Sequence, residues 1–85
     1  DDACMDVLYQ AAKSLFEQKN FEDAADVFAF LVGLNRNKFA FWLGLANSEY
    51  QLMHYKEALD AFTSICEGWP QSAACYLSIS RCYKA

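Results

Sequence analysis

Apolar side chains recur along most of the chain at intervals of three and four residues, the spacing of one face of an α-helix. The first two such faces comprise Leu8, Ala11, Ala12 and Leu15, followed by Ala24, Phe28 and Leu31. No segment shows the strict alternation of apolar and polar residues that is typical of a β-strand. The pattern therefore predicts an all-α domain.

Polar residues, glycine and proline interrupt this pattern at positions 18–20, 35–37, 53–54 and 68–70. Such interruptions are typical of helix ends. They predict five helices, at residues 3–18, 21–34, 38–52, 55–67 and 71–84. The sequence also predicts that Asn20, with Asp23, caps the second helix, and that Pro70 and Ser72 begin the fifth.

The helical pattern repeats itself along the chain. The segment FEDAADVFAFL at 21–31 returns as YKEALDAFTSI at 55–65, which is 34 positions later. The same interval superposes Leu8, Trp42 and Tyr76, then Ala11, Leu45 and Ile79, and then Ala12, Ala46 and Ser80. A fixed period of this length is typical of stacked helical hairpins. We expect a single domain over residues 1–85, with repeats at about 5–38, 39–72 and 73–85, the last incomplete.

Composition and charge narrow the possible functions. The chain has 85 residues, of which 55% are hydrophobic, a composition that disfavours disorder. The formal net charge of −4 disfavours nucleic acid and anionic membranes as partners. The longest apolar runs, at 27–34 and 39–46, are too short to span a membrane. Because the chain begins with Asp1 instead of methionine, we expect it to be part of a longer protein.

The residues that usually carry chemistry are few and scattered. The four cysteines are Cys4, Cys66, Cys75 and Cys82, and His54 is the one histidine. No C-x-x-C pair occurs, and a helix would separate Cys75 from Cys82 by about 10 Å, so we expect reduced, packing cysteines in a cytosolic protein. The sequence contains no catalytic constellation and no phosphate-binding loop, and it predicts no enzyme, no metal site and no cofactor.

The residues at the repeated positions resemble those of a known family. Trp42, Leu45, Ala46, Tyr55, Ala58, Phe62 and Pro70 resemble the tetratricopeptide repeat, a hairpin of 34 residues. The run FWLGLA at 41–46 and the acidic isoelectric point of about 4.7 resemble, more narrowly, the class II chaperones of bacterial type III secretion, the SycD, LcrH and IpgC group. That resemblance implies a bacterial cytoplasmic protein with three repeats and a dimerising N-terminal segment. It also implies binding of an extended segment, of the P-x-L-x-x-P kind, from a hydrophobic translocator.

In such a stack, the first helix of each hairpin lines the concave side. Stepping by 34 residues predicts three rows there: Tyr9, Leu43 and Leu77; Lys13, Asn47 and Arg81; and Phe16, Tyr50 and Lys84. A groove with apolar walls and a polar row suits an extended peptide. A glycine inside a helix often marks a close approach to the backbone, and a ligand in this groove is one candidate at Gly44. The predicted peptide-binding residues are Tyr9, Lys13, Phe16, Leu43, Gly44, Asn47, Tyr50, Leu77 and Arg81.

Other interpretations of these residues remain open. The apolar members of the rows are equally compatible with packing between hairpins, and the charged members with a solvated helix face. Co-chaperones of the repeat family bind a terminal carboxylate with Lys, Asn and Arg side chains. The expected residues are absent at the corresponding positions of this chain, which are Tyr9, Lys13, Gly44, Ala74 and Ser78.

Two alternative functions follow from the same pattern. One is a general scaffold for protein assembly, and the other is a chaperone for a needle subunit. The apolar face of the predicted fifth helix, including Tyr76, Ile79 and Tyr83, predicts self-association or a homodimer, because the helix lacks its hairpin mate.

Overall fold

The computed structural model describes residues 2–69, and within them the chain forms four α-helices. Their bounds are α1 Asp2–Glu17, α2 Phe21–Leu34, α3 Phe39–Gln51 and α4 Tyr55–Gly68. Each bound lies within one residue of the sequence prediction. The predicted fifth helix, with Pro70, Ser72 and the self-associating face, lies outside the described residues.

The helices form two antiparallel hairpins that stack on each other. Each helix packs on the next along the chain, and α1 also contacts α3. Small residues lie at the centre of this packing, since Ala12, Ala24, Ala46 and Ala58 are all fully buried. A side chain larger than alanine at such a position would force two helices apart, at a cost of about 1–3 kcal/mol. The described part of the chain confirms the predicted all-α repeat architecture.

Two hydrophobic clusters form the core, and they have equivalent centres in the two hairpins. Phe28 and Leu31 lie in the first cluster, and Phe62 and Ile65 occupy the same positions in the second. Trp42 packs against both clusters and so joins the hairpins. Its indole N–H also donates to the carbonyl of Arg36 at 2.9 Å, which fixes the loop between α2 and α3.

The aromatic residues outside the repeat pattern divide between core and surface. Phe41 is buried in the first cluster, and Phe39 packs edge-on against Trp69 with 5.2 Å between ring centroids. These two rings therefore contribute to packing in or against the core. Phe30, which lies off the apolar stripe of α2, is exposed, as is Leu34 one turn further along the same helix.

The turns inside the two hairpins are identical in backbone geometry. Lys19 and Met53, which are 34 positions apart, both have φ of 65°, in the left-handed region. The amide of Lys19 donates to the carbonyl of Phe16, and the amide of Asn20 donates to the carbonyl of Leu15. This pair of bonds is a Schellman motif, and the same pair closes α3.

The predicted cap of α2 differs from the structure. Asn20 does precede the helix, but its side chain makes no hydrogen bond to the backbone of the first turn. Its amide instead donates to the carboxylate of Asp23 at 2.9 Å. Asn20 has ψ of 68°, because the Schellman motif fixes the backbone just before it, and this is not the extended conformation usual for a capping residue.

The expectation of four reduced cysteines is wrong for Cys66. This residue is disulfide-bonded, whereas Cys4 is free and exposed. The spacing of cysteines along one helix does not exclude a bond between cysteines that are far apart in the sequence. Disulfides persist mainly in oxidising compartments, so the cysteines do not support a cytosolic location.

Within residues 2–69, no helix combines the length and the hydrophobicity that crossing a membrane would require.

Candidate peptide-binding groove

An open cavity of about 330 Å³ lies between α1 and α3, the first helices of the two hairpins. Its walls come from three helices. They comprise Tyr9, Lys13, Phe16 and Glu17 of α1, Phe28 of α2, and Phe39, Ala40, Leu43, Gly44 and Asn47 of α3. Because successive first helices of stacked hairpins lie side by side, side chains 34 positions apart in the sequence become neighbours across this cavity.

The structure brings together six of the nine residues that the sequence predicts for the site. They are Tyr9, Lys13, Phe16, Leu43, Gly44 and Asn47. Leu77 and Arg81 lie outside the described residues, as does Lys84 of the third row. Tyr50 is described but does not line this cavity.

Tyr50 packs on the second helix of its own hairpin. Its ring lies edge-on to Tyr55, with 5.4 Å between centroids, and it contacts the second hydrophobic cluster. Phe16 and Phe21 make the equivalent contact in the first hairpin at 4.9 Å. The aromatic residue at this position therefore joins the two helices of each hairpin next to the turn. In the first hairpin, the ring of Phe16 also lines the cavity.

Sequence analysis missed four residues of the cavity wall. Glu17 follows Lys13 by one helical turn, and Phe39 and Ala40 precede Leu43 by one turn. Extending each predicted row by one turn along its helix would have included all three. Phe28 gave no such signal, because it belongs to the second helix of a hairpin.

Gly44 explains how Phe28 reaches the cavity. A Cβ atom added at Gly44 would lie 2.6 Å from Cδ1 of Phe28 and closer still to Cε1 and Cζ. The close approach to the backbone of α3 therefore comes from a core ring, where the sequence had suggested a ligand. Gly44 still forms part of the cavity wall, with the edge of Phe28 beside it.

The aromatic wall of the cavity is held in place by ring contacts. The Tyr9 ring lies edge-on to Phe28 at 6.0 Å and tilted against Phe41 at 5.6 Å. The ammonium of Lys13 lies 5.4 Å from the centroid of the Tyr9 ring, within the range of a cation–π interaction. These contacts hold one positive charge at the edge of an apolar surface.

The arrangement combines apolar surface with a few polar groups. Rings and aliphatic side chains form most of the wall, and Lys13, Glu17 and Asn47 contribute the charged and amide groups. Binding pockets in proteins are usually of this kind, with apolar walls for contact area and few polar groups for orientation. Asn47 offers both a donor and an acceptor, which is what the backbone of an extended peptide requires.

Comparison with known proteins agrees with this architecture. A family model described as Tetratricopeptide repeat matches residues 6–32, which contain most of α1 and most of α2. No curated protein matches the sequence.

Among solved structures, the chain is similar to SycD, a type III secretion translocator chaperone of Yersinia enterocolitica that was crystallised in an alternative dimer. The TM-score is 0.92 and the sequence identity is 21%. The match covers 99% of this chain and 63% of the SycD chain, so this chain spans less than two thirds of that chaperone. The chain therefore has a fold similar to that of SycD, and its residues 6–32 match the tetratricopeptide-repeat model.

Proposed function

We propose that this chain is a protein-binding module that holds an extended segment of a partner in the cavity between α1 and α3. The observation that carries the proposal is the cavity itself, which is largely apolar, open, and placed on the first helices of the two hairpins. By its likeness to SycD, the proposed partner is a hydrophobic translocator of a type III secretion system. The proposed role is that of a non-enzymatic chaperone in the bacterial cytoplasm. This location rests on the likeness to SycD alone, because a disulfide at Cys66 gives it no support.

The chemistry of the wall supports an extended ligand over a folded one. An apolar side chain of the ligand would insert between Tyr9 and Leu43, and Asn47 would bond to its backbone. Lys13, with its ammonium fixed over Tyr9, would favour an acidic residue or a carbonyl oxygen nearby. Anchors of this kind each contribute about 1–3 kcal/mol to binding.

The proposal is tested by fluorescence anisotropy with a labelled extended peptide that contains a P-x-L-x-x-P segment. The variant Leu43→Asp places a carboxylate in the apolar wall and should weaken binding by about tenfold or more. Its matched control is Leu34→Asp, the same change at an exposed position of α2, which should leave the affinity within about twofold.

A second pair of variants protects the test against loss of folding, because Leu43 also packs on the second cluster. Lys13→Glu reverses a charge at an exposed site on the cavity rim, and Lys56→Glu makes the same change on α4 away from the cavity. We expect only the first to weaken binding. Equal affinities for all four variants, at unchanged helicity by circular dichroism, would remove the cavity as the binding site.

A general scaffold is the second candidate, and the exposed pair Phe30 and Leu34 on α2 favours it. A folded partner docking there would lose affinity with Leu34→Asp and keep it with Leu43→Asp.

A chaperone for a needle subunit would use the cavity between α1 and α3. It is distinguished from a translocator chaperone by tighter binding of a needle-derived peptide than of the translocator peptide.

A further inference from the structure

Three potential metal ligands converge at the turn between α3 and α4, away from the peptide-binding cavity. They are Glu49 near the end of α3, His54 just before α4, and Glu57 in the first turn of α4. One ligand atom from each lies within 4.8 Å of the other two. We propose that these side chains bind a divalent transition-metal ion, for which zinc is the best match.

The first hairpin provides a comparison within the same molecule. The residues 34 positions earlier are Leu15, Asn20 and Asp23. There Leu15 packs against the hydrophobic core, and Asn20 satisfies Asp23 directly with a hydrogen bond of 2.9 Å. The backbone of the two turns is the same, so the fold itself does not require ligands at these positions. In the second hairpin, all three positions carry residue types that can bind a metal ion.

The spacing of the first two ligands fits a metal ion better than a direct hydrogen bond. Nδ1 of His54 lies 3.4 Å from Oε2 of Glu49, which is longer than the 2.7–3.2 Å of a typical N–H···O bond. Tetrahedral zinc with ligand bonds of about 2.0–2.1 Å places neighbouring ligand atoms about 3.3–3.4 Å apart. Glu57 is exposed and long, so a small rotation would bring its carboxylate to the same distance.

Burial gives a second reason for a cation here. The Glu49 side chain is only 16% exposed, and it occupies the position that Leu15 fills in the first hairpin. A partly buried carboxylate gains from a positive partner, because burial removes part of its hydration. His54 offers a ring nitrogen that can share a metal ion with Glu49. Zinc binds both imidazole nitrogen and carboxylate oxygen, and water can complete such a site.

The proposal is tested by isothermal titration of the full chain with zinc chloride after free thiols have been alkylated with iodoacetamide. Alkylation removes Cys4 as a competing ligand. We expect one zinc ion to bind per chain. Zinc should raise the melting temperature, and EDTA should restore the melting temperature of the metal-free chain. His54→Asn and Glu49→Leu install the residues of the first hairpin and should each lower the zinc affinity at least tenfold without unfolding the chain.

The matched control is Asp23→Asn, which removes a carboxylate at the position equivalent to Glu57 and should leave the zinc affinity unchanged. The proposal is overturned if wild-type protein binds no zinc, or if His54→Asn binds it as tightly as wild type. It is also overturned if Asp23→Asn weakens binding as much as His54→Asn does, because this would show diffuse attraction to surface carboxylates. Cobalt(II) substitution should add the visible absorption of a tetrahedral site in wild type, and His54→Asn should lack it.

Discussion

At the scale of single residues, the contact between Gly44 and Phe28 sets how closely the two hairpins approach. Phe28 is buried in the core, so its ring cannot easily move away from an added methyl group. The clash in Gly44→Ala should therefore cost about 1–3 kcal/mol of stability. The higher helix propensity of alanine offsets up to about 1 kcal/mol of this cost. Urea unfolding followed by circular dichroism measures the change.

Gly33→Ala is the matched control for this prediction. A Cβ atom at Gly33 would meet nothing within 4 Å, and the residue also lies inside a helix. We expect this variant to be neutral or more stable, by up to about 1 kcal/mol. Equal stabilisation by both substitutions would show that the close contact at Gly44 does not exist in solution.

Individual contacts of this kind were only partly predictable from the sequence. The 34-residue interval correctly placed the small residues Ala12 and Ala46 at equivalent positions, and both are fully buried. The ring beside Gly44 could not be identified, because Phe28 comes from a helix 16 positions earlier and its contact depends on how the hairpins stack. The same limit hid Phe28 from the predicted cavity wall.

At the scale of the elements, the two hairpin turns use non-glycine residues in a left-handed conformation. This conformation costs roughly 1 kcal/mol for a residue with a Cβ atom, and glycine adopts it without that cost. Met53 is 73% exposed, so removing its side chain loses little packing. Met53→Gly should therefore stabilise the protein by up to about 1 kcal/mol, measured as a shift of the urea midpoint.

Met53→Ala serves as the control, because alanine keeps the Cβ atom and with it the backbone strain. We expect its stability to remain close to that of wild type. If alanine and glycine stabilise to the same extent, the gain comes from loss of the methionine side chain, and the left-handed turn is not the cause.

The helices themselves were predicted well from the spacing of apolar residues, whereas their ends were not explained by it. Polar breaks at 18–20 and 53–54 located the turns to within one residue. The closing Schellman motif was not predicted, because Lys19 and Met53 stand where glycine is the usual signal. The backbone bonds of the turn outweigh the local preference of both residues.

At the scale of the whole molecule, the 34-residue interval explains both the stack of hairpins and the location of the cavity. It correctly grouped six residues on neighbouring first helices, since equal positions in successive repeats become neighbours in space. It did not predict that Tyr50 would turn towards Tyr55, because a ring at a helix end can pack on either neighbour. Nor did it reveal the cluster at Glu49, where the second hairpin departs from the first.

The central claim is that the cavity between α1 and α3 receives an extended peptide, and its most direct test is a two-dimensional ¹⁵N–¹H NMR titration of the labelled chain. On addition of the P-x-L-x-x-P peptide, we predict that the largest shifts occur at Tyr9, Lys13, Leu43 and Asn47, with the signal of Leu34 unmoved. Shifts centred on Phe30 and Leu34, or no shifts at a peptide concentration of about 1 mM, would contradict the account.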